Sequence, residues 1–215
     1  MIRTGLLLLL LTSSSYADAS LQQLMNQMQQ RYENLETLKA HFIQSYQSKR
    51  FSDRISEKGV VYFRKGGLMK WEYQEPEPKI FISDGLYYFY YVPADKQVIK
   101  AAAESDQKYA PTLFLAGRGN FLKDFRPEWA DPRPDSHLVK LTPVERQSDF
   151  QYMIVDIDPV RGYIMRLIVV DPYDNKTEYK FDQIQENPDL PSSFFVFQPP
   201  PGTDVIYQRN ESNEK

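Results

Sequence analysis

From residue 40 onward, apolar residues recur mostly at every second position, in short runs cut by Gly, Pro, Asn and Asp. A two-residue period is that of β-strands with one face turned to a core. Ahead of them, Leu21, Leu24, Met25, Met28, Tyr32, Leu35 and Leu38 recur at three- and four-residue spacing. That spacing predicts one amphipathic helix of about five turns. Ser20 is its expected cap, no Gly or Pro interrupts it, and it must lie on something apolar.

The predicted strands are Ala40–Tyr46, Glu57–Arg64, Leu68–Tyr73, Lys79–Ser83, Leu86–Val92, Gln97–Ala101, His137–Thr142, Phe150–Asp156, Tyr163–Val170, Thr177–Glu186 and Ser193–Gln198. Asp204–Tyr207 is expected as a last edge segment. Lys49 to Ser56 reads as a hairpin loop, and Asp84-Gly85 is a strong two-residue hairpin signal. The prolines of Gln74-Glu75-Pro76-Glu77-Pro78 break the ladder, because proline cannot sit in a central strand. The middle differs: Pro111 opens a short helix ended by Gly117 and Gly119, and Asn120 caps a second piece carrying Phe121, Leu122 and Phe125. Arg126–Pro134 reads as a charged, proline-rich loop. The pattern therefore predicts a mainly β chain, a strongly curved antiparallel sheet or open barrel holding an N-terminal helix, with the helical insertion as cover or as plug.

One stretch resists a simple two-faced reading. Between Glu57 and Val92, Leu86, Tyr88 and Tyr90 occupy one face of a strand, and Tyr87, Phe89 and Tyr91 the other. Both faces must then be covered, or one must hold a ligand. Phe42, Tyr46, Tyr62, Met69, Trp71, Tyr73, Phe81, Tyr88 and Tyr90 are the residues expected to line a cavity, if the interior is lined rather than filled. Periodicity alone leaves those two options open.

Composition narrows the class. The chain opens with Arg3 in a short polar start, an unbroken Leu6–Leu11 run and a small-residue site at Ala17, the pattern of a secretory signal peptide. Six leucines fall far short of the roughly 20 residues that span a bilayer. Residues 1–17 are expected to be removed, leaving a single domain over residues 18–215 with a net charge of −4. Zero cysteines in an exported chain exclude a disulfide scaffold. The mild negative charge favours neither nucleic acid nor an anionic membrane.

Catalytic chemistry finds little to work with. His41 and His137 are the two histidines, with neither HExxH nor cysteine to complete a zinc set. The GxSxG elbow of a serine hydrolase is absent, and Gly117-Arg118-Gly119-Asn120 lacks the Lys-Ser/Thr end of a phosphate loop. Asp156, Asp158, Asp171, Asp174 and Asn175 fall at turns, where they satisfy local backbone. No enzyme, metal or cofactor is expected. Acyl-chain binding survives: each buried CH₂ contributes roughly 0.8 kcal/mol, so one long chain is worth on the order of 10 kcal/mol.

Several runs, in order and spacing, resemble one family across nearly all of residues 18–215. They are Phe42-Ile43-Gln44, Gly59-Val60-Val61-Tyr62-Phe63-Arg64-Lys65, Leu68-Met69-Lys70-Trp71-Glu72-Tyr73, Pro76, Ile82-Ser83-Asp84-Gly85, Pro111 to Gly119, and Phe195-Val196-Phe197-Gln198-Pro199-Pro200. The sequence is similar to the periplasmic outer-membrane lipoprotein carriers, the LolA family. The resemblance implies an unclosed antiparallel barrel around a hydrophobic cavity, with helices as lid. It implies a monomeric periplasmic chaperone without cofactor. Such a carrier takes triacylated lipoproteins from an inner-membrane ABC-type release complex and delivers them to an outer-membrane receptor. Leu113, Phe114, Leu115, Phe121 and Leu122 would form the lid. The family arginine that bonds lid carbonyls corresponds to Lys65, with Arg64 beside it, and these two are the expected latch. Gly66 stands where the family usually has proline. A sensor of envelope lipids or mislocalised lipoproteins on the same scaffold is the alternative, and a second domain or membrane anchor would mark it.

Overall fold

The computed structural model describes residues 11–50, 54–102, 115–116, 119–131, 133 and 137–208, with the backbone alone for 11–19. Their frame is one twelve-stranded sheet in the order β12-β6-β5-β4-β3-β2-β1-β11-β10-β9-β8-β7. The strands are β1 (Thr37–Gln47), β2 (Arg54–Arg64), β3 (Leu68–Glu75), β4 (Lys79–Ser83), β5 (Tyr87–Val92), β6 (Gln97–Ala102), β7 (Phe125–Trp129), β8 (Leu138–Pro143), β9 (Tyr152–Ile157), β10 (Ile164–Val170), β11 (Lys176–Glu186) and β12 (Asp204–Tyr207). β1 to β6 and β7 to β11 are two antiparallel meanders joined where β1 pairs β11. The sheet curls without closing, leaving β12 and β7 as edges.

Helix α1 (Leu11–Asn34) lies in the hollow of the sheet. Leu21, Leu24, Met25, Met28 and Tyr32 are buried, as their spacing predicts. Both predicted ends shift. The helix runs back through Ser20, which is therefore interior rather than a cap, since nothing between Leu11 and Ser20 breaks it. It stops at Asn34, so Leu35 and Leu38 leave the helical register although both stay buried. Strand pairing overrides helical spacing there. Thr37 pairs with Arg64, its hydroxyl donates to the Pro188 carbonyl at 2.6 Å, and the Asn187 Oδ1 accepts from the Glu36 and Thr37 amides.

The short helix α2 (Phe121–Asp124) starts where expected: the Asn120 side chain accepts from the Leu122 and Lys123 amides, both at 3.0 Å. Two other expectations are corrected. Phe125–Trp129 is the edge strand β7, taking Phe125 from the expected helical piece and residues 126–129 from the expected loop, with Phe125, Pro127 and Trp129 paired to Pro143, Leu141 and Val139. Pro127 is tolerated because an edge strand need not use every N–H. Ser193–Gln198 is not a strand. Ser192–Phe195 is a 3-10 turn after Pro191, and the chain then crosses the convex side of the sheet. β12 joins β6 in parallel, so one pairing departs from the antiparallel scheme.

That crossing answers the two-faced stretch. On the convex side Ile82, Phe89 and Val98 form a second small core, joined by Ile80, Tyr91 and Phe197. The Phe197 ring lies 5.4 Å from that of Phe89 and 5.5 Å from that of Tyr91. One aromatic face of β5 is thus covered by the C-terminal segment, and Arg64 anchors that segment by donating to the Leu190 carbonyl at 2.8 Å. The other face belongs to the hollow.

Candidate functional site

Strand registers assign the concave side. Leu38, Ala40 and Phe42 of β1 stand opposite Phe63, Val61 and Gly59 of β2, which stand opposite Met69, Trp71 and Tyr73 of β3. Trp71 then pairs with Phe81, Phe81 with Tyr90, and Ser83 with Tyr88. On the far side of β1, Phe42 faces Phe181 and Gln44 faces Tyr179. The result is an aromatic floor. Phe42 meets Trp71 and Tyr73 edge-on at 4.8 and 5.0 Å, Trp71 meets Phe63 at 5.8 Å and Tyr179 at 5.4 Å, and Phe81 stacks on Tyr88 at 5.6 Å.

Of the residues expected to line a cavity, Phe42, Met69, Trp71, Tyr73, Phe81, Tyr88 and Tyr90 share this face. Tyr46 has the same parity but sits at the strand end, 37 % exposed. Tyr62 is on the opposite, convex face: its ring meets Phe194 at 4.9 Å and its hydroxyl donates to Glu72 at 3.4 Å. Its place in the hollow is taken by Val61 and Phe63, which sequence reasoning missed. The run Val60-Val61-Tyr62-Phe63 is covered on both sides, by the hollow and by the C-terminal segment, so alternation carries no sign there.

One end of the floor is covered in this state. Leu115 and Ala116, buried at the near end of the insertion, close over Phe63, Leu38 and Tyr32. The void left between Tyr32, Ala40, Phe63, Leu115, Phe181 and Ile184 is about 10 Å³, room for a single water. A larger hollow of about 420 Å³ lies outside, between Pro143, Arg146, Phe150 and Pro172, and shares no residue with the floor. Of the other expected lid residues, Leu113 and Phe114 lie outside the described residues. Phe121 is buried against Tyr32 and Phe125, with ring centroids 6.0 and 6.4 Å away, and Leu122 is half-buried beside it. Gln29 joins this piece to α1 by accepting from the Phe121 amide at 2.8 Å.

Among the described residues, the two expected latch side chains bond α1 and the C-terminal segment. Lys65 Nζ donates to the Glu33 carbonyl at 2.9 Å, at the C-terminal end of α1, where a cation also suits the helix dipole. Arg64 bonds the C-terminal segment. Among the described residues, the backbone bond from this corner to the insertion is Gly67 N–H to the Ala116 carbonyl, at 3.3 Å. α1 is held by several bonds of its own. Gln27 donates to the Val160 carbonyl at 2.8 Å, Arg31 to the Arg161 carbonyl at 2.7 Å, and Tyr32 accepts from the Ile164 amide at 3.2 Å.

Burial raises the phenols of Tyr73 and Tyr179 above their ordinary value. Tyr179 is pushed up to about 12, by desolvation first and the Glu57 charge second. Tyr73 is raised further, by desolvation and then by Tyr179, Glu57 and Tyr90, while its hydroxyl donates to Gln44 at 2.7 Å. Neutral phenols keep their O–H donors at physiological pH.

The family described as outer membrane lipoprotein carrier protein LolA matches residues 33–198, most of the chain. The chain belongs to the LolA family. A relative from Bordetella avium, named outer-membrane lipoprotein carrier protein, is 30 % identical over 152 residues, covering 70 % of this chain and 71 % of its own. One from Nitrosospira multiformis with the same name is 25 % identical over 201 residues, 94 % of each chain. Among solved structures, an uncharacterized conserved protein from Thermus thermophilus superposes with a TM-score of 0.53 at 14 % identity, covering 87 % of this chain and 98 % of its own. That likeness shows the fold alone.

Proposed function

We propose that this LolA-family chain is a periplasmic carrier. It accepts triacylated lipoproteins released from the inner membrane by an ABC-type complex, shields their acyl chains on the concave face and hands them to an outer-membrane receptor. No bond changes and no cofactor are involved. The observation that carries this reading is an apolar floor of sheet side chains, covered at one end by Leu115 and Ala116 of the insertion, in a protein whose relatives are named lipoprotein carriers.

The acyl chains would lie on Phe42, Met69, Trp71, Tyr73, Phe81, Tyr88 and Tyr90, with Tyr46 at the rim. At the Leu38 and Phe63 end of this face, room for them comes from displacing Leu115 and Ala116. Exposing a buried leucine costs about 1.5–3 kcal/mol, whereas one buried acyl chain returns on the order of 10 kcal/mol. Cargo therefore opens the hollow, and the cover competes with it, which keeps release possible. α1, α2 and Phe121 stay in place as the back wall, because their ties to Val160, Arg161, Ile164 and Gln29 are independent of the cover.

The test is release from inner-membrane vesicles that hold the ABC-type complex and a radiolabelled acylated lipoprotein. With ATP and this protein added, labelled lipoprotein should appear in the soluble fraction as a complex with it. Cargo that stays on vesicles from which an established family member extracts it would count against the carrier role.

A further inference from the structure

The concave floor is not apolar to its end. One row beyond Phe181, Phe42 and Trp71, the same face carries Tyr179, Gln44, Glu57 and, next to Tyr73, Lys79. Glu57 and Lys79 form a close ion pair, with side chains only 16 % and 19 % exposed. The Lys79 ammonium stands 4.6 Å above the Tyr73 ring, whose own hydroxyl reaches Gln44. A largely buried ion pair is often no better for folding than an apolar pair of the same size. Stability therefore gives little reason for one here, where an apolar pair would only extend the floor.

Acyl lipids supply a reason. Where the chains join the head, each carries an ester or amide carbonyl, a strong acceptor that loses its water as the chain enters an apolar site. A lysine has three donors, and the bond to Glu57 uses one. The Gln44 amide N–H₂, which Tyr73 holds in place through its Oε1, and the Tyr179 phenol add further donors at the same level. Resting on the carrier reading, we infer that Glu57, Lys79, Gln44, Tyr73 and Tyr179 form a polar collar that binds the carbonyl linkages of the acylated head while the chains lie on Trp71 and Phe81. Glu57 holds Lys79 in place and balances its charge, so a neutral carbonyl, rather than a carboxylate, is the preferred partner. The collar sets how far a lipid enters and separates acyl esters and amides from plain hydrocarbon.

The test compares three ligands on the unaltered protein and on the double variant Glu57→Gln, Lys79→Met. Removing both charges leaves neither one stranded. The ligands are a synthetic N-acylated diacylglyceryl-cysteine peptide, short-chain phosphatidylglycerol in dilute solution, and diphenylhexatriene, a hydrocarbon dye without carbonyls. The lipopeptide should bind on the order of tenfold more weakly to the variant, the scale of a charge-assisted hydrogen bond, and the dye within about twofold of its original affinity. A matching loss for phosphatidylglycerol assigns the collar to glyceryl esters, and an unchanged value assigns it to the amide at the lipidated cysteine. Unchanged lipopeptide affinity, or an equal loss for lipopeptide and dye, overturns the collar and leaves the carrier role standing. If the unaltered protein binds none of the three, the carrier reading fails and the collar with it. Should the double variant not fold, Tyr73→Phe is put through the same comparison and judged by the same outcomes.

Discussion

Replacing Trp71 with alanine is expected to destabilise the protein by about 3–5 kcal/mol and to lower Tm by roughly 10 °C. Trp71 is 2 % exposed and touches the rings of Phe42, Phe63, Tyr179 and Phe181, which come from three other strands, β1, β2 and β11, curling round from one side of β3. No neighbour can close the gap without leaving its own packing, so the cavity persists and its full cost is felt. Thermal and urea unfolding followed by circular dichroism measure the loss. A change below about 1 kcal/mol would mean that the indole already borders open space. The floor is thus structural in the covered state as well as being the proposed acyl surface, so a weaker-binding variant here must always be checked for stability.

Gly59→Ala is expected to do still more damage, on the order of 4 kcal/mol or beyond, which places it among rare, diagnostic single substitutions. A Cβ at this position would stand 1.9 Å from the Glu72 carbonyl oxygen and 2.9 Å from the Tyr73 Cα. Both are backbone atoms of β3, so nothing nearby can rotate away. Relief requires β2 and β3 to part beside the bulge between Lys58 and Gly59, which would also pull Tyr73 away from Phe42. Little soluble protein should accumulate, and what does should lack the near-ultraviolet aromatic signal. A Gly59→Ala protein with unchanged Tm would show that the two strands do not approach as closely as this.

What the sequence displayed and what it hid follow from how many neighbours each element has. Strands wet on one side, such as β8 and β9, alternate cleanly and are legible. α1 is legible over Leu21–Tyr32 because one face alone is buried. Its end at Asn34 was hidden, because Leu35 and Leu38 keep helical spacing while Asn187 and Pro188, about 150 residues away in sequence, hold Glu36 and Thr37 in the sheet. Val60 to Phe63 misled by one position because the C-terminal segment covers the second face. That cover depends on Phe194, Phe195 and Phe197 in a stretch whose alternation suggests a strand, although Pro191 and the three prolines from 199 to 201 deny it a partner. The collar was equally out of reach: Glu57 and Lys79 lie 22 positions apart and meet only through the registers of β2, β3 and β4.

The most direct test of the central claim, that acyl chains lie on the concave floor, uses Trp71 as the reporter. The chain has two tryptophans, so Trp129→Phe leaves Trp71 as the single emitter. Titration with a lipopeptide whose acyl chains carry bromine should quench Trp71 strongly, while the unbrominated peptide should not. Stoichiometric binding of the brominated peptide with Trp71 emission unchanged would place the chains elsewhere and contradict the account.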